Sequence, residues 1–152
     1  ILLSGPEPQR SILENKLIKQ AQEIGLKTVV LQGKPELTGS RQELNVQIIP
    51  HLPDGEMAGL INSSRFVICR SGYSTIMDLS ILGSKAILIP TPGQTEQEYL
   101  AKRFFRKKIF YSESQKDFKL GRAIENSKSY RGLSLNWDNS VLKERVDKIE
   151  KT

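Results

Sequence analysis

Two polar stretches contain residue types suited to an anionic, hydroxyl-rich ligand. The first is Arg70-Ser71-Gly72-Tyr73-Ser74-Thr75, which follows the apolar run Phe66-Val67-Ile68-Cys69. Gly72 lets the backbone approach a ligand closely, and a helix opening here points free N–H groups outward. Ser74 and Thr75 add hydroxyls, and Arg70 adds charge. The same stretch also reads as a plain helix cap that binds nothing. Asp78 stands three residues after Thr75. Its carboxylate suits a ribose diol, or it closes a capping box on Thr75. The second stretch, Pro90 to Glu98, follows Ala86-Ile87-Leu88-Ile89. Thr95 and Glu98 have capping-box spacing, which leaves Glu96 and Gln97 at the first outward helical positions. A carboxylate and an amide offer acceptors and donors to sugar hydroxyls. A solvated helix start accounts for the same pair.

Other reactive side chains offer less. His51 is the one histidine and cannot make a metal site alone. Between Pro50 and Leu52 it reads as a loop residue, with general-base chemistry as the alternative. Cys69 ends an apolar run and reads as a small buried hydrophobe. Trp137 reads as a packing residue. The sequence has no phosphate-binding GxxxxGK[ST] loop, GxSxG elbow, HExxH pair or GxGxxG turn, which removes several enzyme classes. A metal site is therefore not expected.

The elements that must position these residues alternate along the chain. Apolar runs at Ile1–Leu3, Thr28–Leu31, Val46–Ile49, 66–69, 86–89 and 109–111 predict six strands. The continuous character of 66–69 and 86–89 fits strands buried on both faces of a parallel sheet. Between them, Ser11 with Glu14 predicts a capped helix along Ile12, Leu13, Leu17, Ile18, Ala21 and Ile24, stopped at Gly25. Met57, Leu60 and Ile61 predict a short helix, and 95–107, 118–124 and 141–149 predict three more. Right-handed βαβ units then give an α/β fold, a doubly wound parallel sheet with helices on both faces. In such sheets ligands sit outside the carboxyl ends of the strands, where both polar stretches fall.

With 152 residues, 38% hydrophobic and 26% charged, the chain suits one domain, 1–152, with a sizeable core. No apolar run approaches the ~20 residues of a membrane span. A single cysteine excludes an internal disulfide and is compatible with a reducing cytoplasm. The net charge of +6 favours anionic partners. The densest basic segment, Lys102 to Lys108, reads as a solvated helix end, or as a patch facing a membrane. No nucleic-acid motif accompanies it, so nucleic acid is not expected as a partner.

Taken together, the segments resemble the donor-binding C-terminal half of GT-B glycosyltransferases, and specifically glycosyltransferase family 28, whose members include bacterial lipid II-forming N-acetylglucosaminyltransferases. The resemblance rests on Cys69-Arg70-Ser71-Gly72, Thr75, Asp78, Gly83, Pro90, Glu96-Gln97 and Ala101, in that order. Weaker matches lie at Ser4-Gly5 to Arg10 and at Gln32-Gly33-Lys34. The sequence departs from the family at Pro6 and Pro8, where glycines are usual, and at Leu100, where the family has Asn.

That resemblance implies a Rossmann-like domain and a set of roles. Arg10, Gly72, Ser74 and Thr75 would hold the donor diphosphate, and Asp78 the ribose. Glu96 and Gln97 would read the sugar, while the backbone near His51 and Leu52 would line the base. It implies a nucleotide-diphosphate sugar, a UDP-sugar by preference, transferred to an acceptor hydroxyl without a metal or cofactor. The acceptor and the catalytic base would come from an N-terminal domain of a longer, two-domain protein. A cytoplasmic location, peripheral to the inner face of the membrane through the basic segment, is the corresponding expectation. The rival readings are a nucleotide-sugar hydrolase or epimerase on the same fold, and a non-enzymatic binding module.

Overall fold

The computed structural model describes residues 1–133. Trp137 and the helix expected over 141–149 lie outside the described residues.

The chain opens with the segment Ile1–Leu3 and enters α1 (Gln9–Glu23), β1 (Thr28–Leu31), β2 (Arg41–Glu43) and β3 (Val46–Ile49). It continues through α2 (Asp54–Ser63), β4 (Val67–Cys69), α3 (Tyr73–Ile81) and β5 (Ala86–Leu88). The last described elements are α4 (Thr95–Arg106), β6 (Tyr111–Ser112) and α5 (Leu120–Ser127). Strand β1 pairs in parallel with β3, and β4 with β5 and β5 with β6 likewise. Leu2 joins the two groups, bridging in parallel to Leu31 on one side and to Cys69 on the other. The sheet therefore runs β2-β3-β1, then Ile1–Leu3, then β4-β5-β6. Only β2 is antiparallel among the described strands.

Alternation along the strands divides the core. Ile68, Ile87 and Ile89 face one side with Leu3, Val30 and Ile48, under α1 and α5. Val67, Cys69, Ala86 and Leu88 face the other, under Ile61 of α2, Ile76 and Leu79 of α3, and Leu100 and Phe104 of α4. Helices thus cover both faces, as expected for a doubly wound sheet. Burying Leu13, Leu17 and Leu79, each at most 1% exposed, stabilises each face by about 2 kcal/mol per side chain.

Several local expectations change. Ser11 does not cap α1: the helix begins at Gln9 behind Pro8, three residues earlier, since proline's fixed φ is compatible with a helix start. Glu14 is consequently not a capping-box partner. It is buried and accepts a hydrogen bond from Gln32 Nε2, with Lys34 Nζ at 3.8 Å and Arg41 at 3.9 Å. Ile12 and Ile24 are exposed rather than part of the apolar stripe. The helix does stop at Gly25, whose φ of +66° is the left-handed conformation glycine accepts. The final strand is Tyr111–Ser112, while Ile109 and Phe110 are buried just before it.

Candidate functional site

The sheet changes direction at Ile1–Leu3. From there the chain winds outward one way through β1 and β3, and later the other way through β4, β5 and β6. Parallel α/β sheets open a crevice at such a switch point, beyond the carboxyl ends of the strands. Here the crevice lies between the Ser4–Pro8 turn, which leads into α1, and the Arg70–Gly72 turn, which leads into α3.

Arg70 ties the crevice together from beneath. Its side chain is 1% exposed, and its guanidinium donates to the carbonyls of Ile89 (3.2 Å), Pro90 (3.3 Å) and Gln9 (3.0 Å). One residue thus links the ends of β4 and β5 to the head of α1. The sequence suggested that Arg70 would add charge to the ligand turn; instead three of its four terminal N–H groups go to these carbonyls, and its Nε has no partner among the described residues. Burial lowers the guanidinium to about 10, so it is still cationic at neutral pH and leaves a positive charge under all three turns.

Above it, α3 opens at Gly72, which is extended (φ −70°, ψ 148°), and no side chain among the described residues caps the helix. The leading N–H groups of α3 are therefore free to meet an anion, aided by the helix dipole. Ser74 and Asp78 are exposed and Thr75 is half-buried. At i, i+1 and i+4 they share the face opposite Ile76, Leu79 and Ser80. Because Gly72 is the cap, Thr75 sits in the first turn and Asp78 in the second. The capping-box reading of Asp78 therefore fails, and its carboxylate has no hydrogen-bond or ion-pair partner among the described residues.

The turn between β5 and α4 is more self-contained. Gln94, not Thr95, holds the N-cap position of α4 and its side chain makes no cap bond, so the expected Thr95–Glu98 capping box is absent; Glu98 Oε1 instead accepts from Gly93 N at 3.1 Å, which still makes Glu98 structural. Gln97 Oε1 accepts from Thr91 N at 2.9 Å, its Nε2 donates to Gln94 Oε1, and its backbone carbonyl accepts from Ser71 Oγ at 2.8 Å. Gln97 thereby braces this turn against the Ser71 turn. Glu96 is exposed and unengaged among the described residues.

Arg10 lies at the other wall. Its Nε pairs with Glu7 Oε1 at 3.0 Å and its Nη1 donates to Gly33 O at 3.0 Å. Gly33 has φ +65°, and a Cβ there would meet Leu3 O at 2.6 Å, so only glycine lets the β1 turn lie this close to the opening segment. His51 is exposed and Leu52 half-buried beyond β3, where Lys34 N donates to Pro50 O at 2.9 Å. Arg10 thus lies in the first turn of α1, Gly72, Ser74 and Thr75 at the head of α3 with Asp78 one turn on, Glu96 and Gln97 in the first turn of α4, and His51 and Leu52 just after β3, all following the carboxyl ends of strands.

Two participants escaped the sequence reading. Glu7 holds both Arg10 and the Ser11 N–H, a role hinted at only by its i, i+3 spacing to Arg10. Thr91 is 2% exposed and its hydroxyl has no partner among the described residues. Among the described residues, no group of acidic, histidine or cysteine side chains could hold a metal ion. A cavity of about 540 Å³ opens at the amino ends of β1 and β4, against Leu26, Phe66 and Ile124, and is lined by none of the candidate ligand residues.

A family model described as glycosyltransferase family 28 C-terminal domain matches residues 7–131. The UDP-N-acetylglucosamine–N-acetylmuramyl-(pentapeptide) pyrophosphoryl-undecaprenol N-acetylglucosamine transferase of Sinorhizobium medicae is 37% identical over 79 residues, 48% of this chain and 21% of that protein. The protein of the same name from Acetivibrio thermocellus is 27% identical over 110 residues, covering 67% of this chain and 29% of its own length. These matches therefore reach less than a third of either relative. Among solved structures, spinosyn forosaminyltransferase superposes over 99% of this chain and 42% of its own, with TM-score 0.56 and 15% identity, which is a likeness of fold.

Proposed function

The chain belongs to the glycosyltransferase family 28 C-terminal domains, and from that premise we propose that it is the donor-binding domain of an enzyme that moves a sugar from a nucleotide-diphosphate sugar, with uridine as the nucleoside, to an acceptor hydroxyl. One observation chiefly supports this reading. The uncapped head of α3 opens onto the switch-point crevice with Ser74, Thr75 and the unengaged Asp78 on its exposed face.

In this reading the α3 amides, with the Ser74 and Thr75 hydroxyls, receive the diphosphate. Asp78 accepts two hydrogen bonds from the ribose diol, and the backbone beside His51 and Leu52 lines the base. Glu96 reaches the sugar hydroxyls, while Gln97 holds its turn in place and has one amide hydrogen left to donate. As the sugar departs, negative charge grows on the diphosphate, and prepositioned amides above a buried Arg70 stabilise it where it develops. The acceptor and the base that activates it belong to a preceding domain, so the domain alone binds donor and transfers little.

Calorimetric titration with UDP, UDP-sugars and other nucleoside diphosphates tests the assignment. UDP should bind, Asp78→Ala should weaken it about tenfold or more, and Glu98→Ala should not. Absence of binding by every nucleotide at millimolar concentration would remove the donor-site reading. With the full-length enzyme, free sugar or an epimer formed from donor alone would favour a hydrolase or epimerase instead.

We also propose a peripheral contact of α4 with an anionic bilayer. Lys102, Arg103, Arg106 and Lys107 are exposed beside Tyr99, which is 58% exposed. No described helix is long and apolar enough to cross a membrane.

A further inference from the structure

At the head of α1, a carboxylate of the chain itself occupies the position of an anion. Pro6 and Pro8 contribute no N–H, and the Arg10 amide is committed to Pro6 O at 3.1 Å. Donors left to face an anion include the Gln9 and Ser11 N–H groups and the Arg10 guanidinium, and Glu7 takes the Ser11 N–H and the Arg10 Nε–H. Its Oε2 accepts from Ser11 N at 3.1 Å and its Oε1 from Arg10 Nε at 3.0 Å. Hydrogen bonds from Ser11, and then Arg10, hold the Glu7 carboxyl below the ordinary carboxylate range, so it is charged at neutral pH.

A second, independent feature points into the same turn. The Thr91 hydroxyl, 2% exposed and without a partner among the described residues, faces Gly5: a Cβ on Gly5 would lie 3.5 Å from Thr91 Oγ1. A buried polar group left unpaired is costly unless something meets it. The turn between Thr91 and Arg10 thus has an unused hydroxyl on one side and an internally neutralised cation on the other.

We propose that Glu7 is an internal counter-anion of the donor site: its carboxylate holds the place of a donor phosphate at α1 and swings out when a nucleotide diphosphate binds. Arg10, the Ser11 N–H and the Thr91 hydroxyl then pass to phosphate oxygens. The inference rests on the donor-site reading above. Glu7 is free to move, because its side chain is 45% exposed and can rotate into water without burying its charge. A ligand must carry enough negative charge to win Arg10 from a carboxylate, so the exchange discriminates for diphosphates and against weakly charged ligands.

The test is calorimetric titration of the wild-type chain, Glu7→Gln and the remote control Glu23→Gln with UDP and with inorganic pyrophosphate. The control changes net charge equally on an exposed site at the far end of α1. Glu7→Gln should bind both ligands about tenfold more tightly than wild type, with Glu23→Gln within about twofold of it. Equal affinity of the two variants, or weaker binding by Glu7→Gln, would overturn the role of Glu7 while leaving the donor site standing. No binding by any of the three proteins would remove both. Nuclear magnetic resonance of the wild-type chain decides the matter without a variant. Saturating UDP should shift the Ser11 amide and raise the Glu7 carboxyl toward the ordinary carboxylate range; both unchanged would overturn the exchange.

Discussion

Arg70 Nη2 lies 3.0 Å from the carbonyl oxygen of Gln9, joining positions 61 apart across the place where the sheet reverses its winding. The same guanidinium holds Ile89 O and Pro90 O, so the three turns of the candidate site share one buried anchor.

Replacing that anchor by lysine keeps the charge but not the planar fork that reaches three carbonyls. Arg70→Lys should lower stability by about 2–3 kcal/mol in urea denaturation, through weakened charged hydrogen bonds in a buried place. It should also weaken UDP binding, because the heads of α1 and α3 lose their common reference.

Gly33 and Gly25 separate two costs that sequence alone cannot tell apart. Both have positive φ, +65° and +66°, but a Cβ at Gly25 meets nothing within 4 Å, whereas at Gly33 it meets Leu3 O at 2.6 Å. Gly25→Ala should cost about 1 kcal/mol from backbone strain. Gly33→Ala should cost about 2 kcal/mol or more, since a backbone oxygen of the central segment must also move. Paired thermal unfolding curves measure the difference.

Stability should fall on acidification partly through Glu113. Burial alone would raise its carboxyl, but the Arg122 guanidinium at 2.8 Å, with the Tyr111 hydroxyl and the Lys119 N–H, brings it below the ordinary value. A carboxyl whose folded-state pKa is depressed stabilises the fold above its unfolded pKa, and that contribution is lost as pH falls through the folded value. Wild type should therefore lose melting temperature more steeply than Glu113→Gln from about pH 5 downward. Parallel slopes for the two proteins would contradict the assignment.

For α4, wild type should sediment with vesicles containing anionic lipid and release with added salt, while Lys102→Glu/Arg106→Glu should remain in the supernatant. Each basic side chain near such a surface contributes about 1 kcal/mol, so reversing two of them, a change of four units of charge, should reduce partitioning by well over tenfold. UDP affinity should be unchanged in this variant, as neither residue borders the crevice.

Much of the architecture was legible because buried parallel strands advertise themselves as unbroken apolar runs. Ile68 and Cys69, or Ile87 and Leu88, serve opposite faces of one sheet, so neither position tolerates a polar residue. Strand β2 was invisible for the converse reason: Arg41-Gln42-Glu43 forms a short, largely exposed edge that has no apolar signature and pairs only on β3. Sequence placed Arg70 in the right turn but on the wrong side of it, since its acceptors are carbonyls up to 61 residues distant. Glu14 likewise looked like a local capping residue, but α1 begins three residues early and Glu14 meets Gln32 instead. Asp78 was ambiguous on spacing alone, and only the position of Gly72 as the cap freed it from that role.

The three residues at the start have a significance beyond the site. Leu2 bridges both halves of the sheet, with Leu2 N on Ile68 O at 2.8 Å and its neighbour Leu3 N on Leu31 O at 2.8 Å. Each flanking trio of strands can zip up among its own neighbours, yet their alignment to each other passes through this narrow seam. A lesion there, such as Leu2→Pro, which removes the bond to Ile68, would leave two locally ordered sheets in uncertain alignment. The crevice between them would then lose its fixed width, although none of its own side chains had been touched.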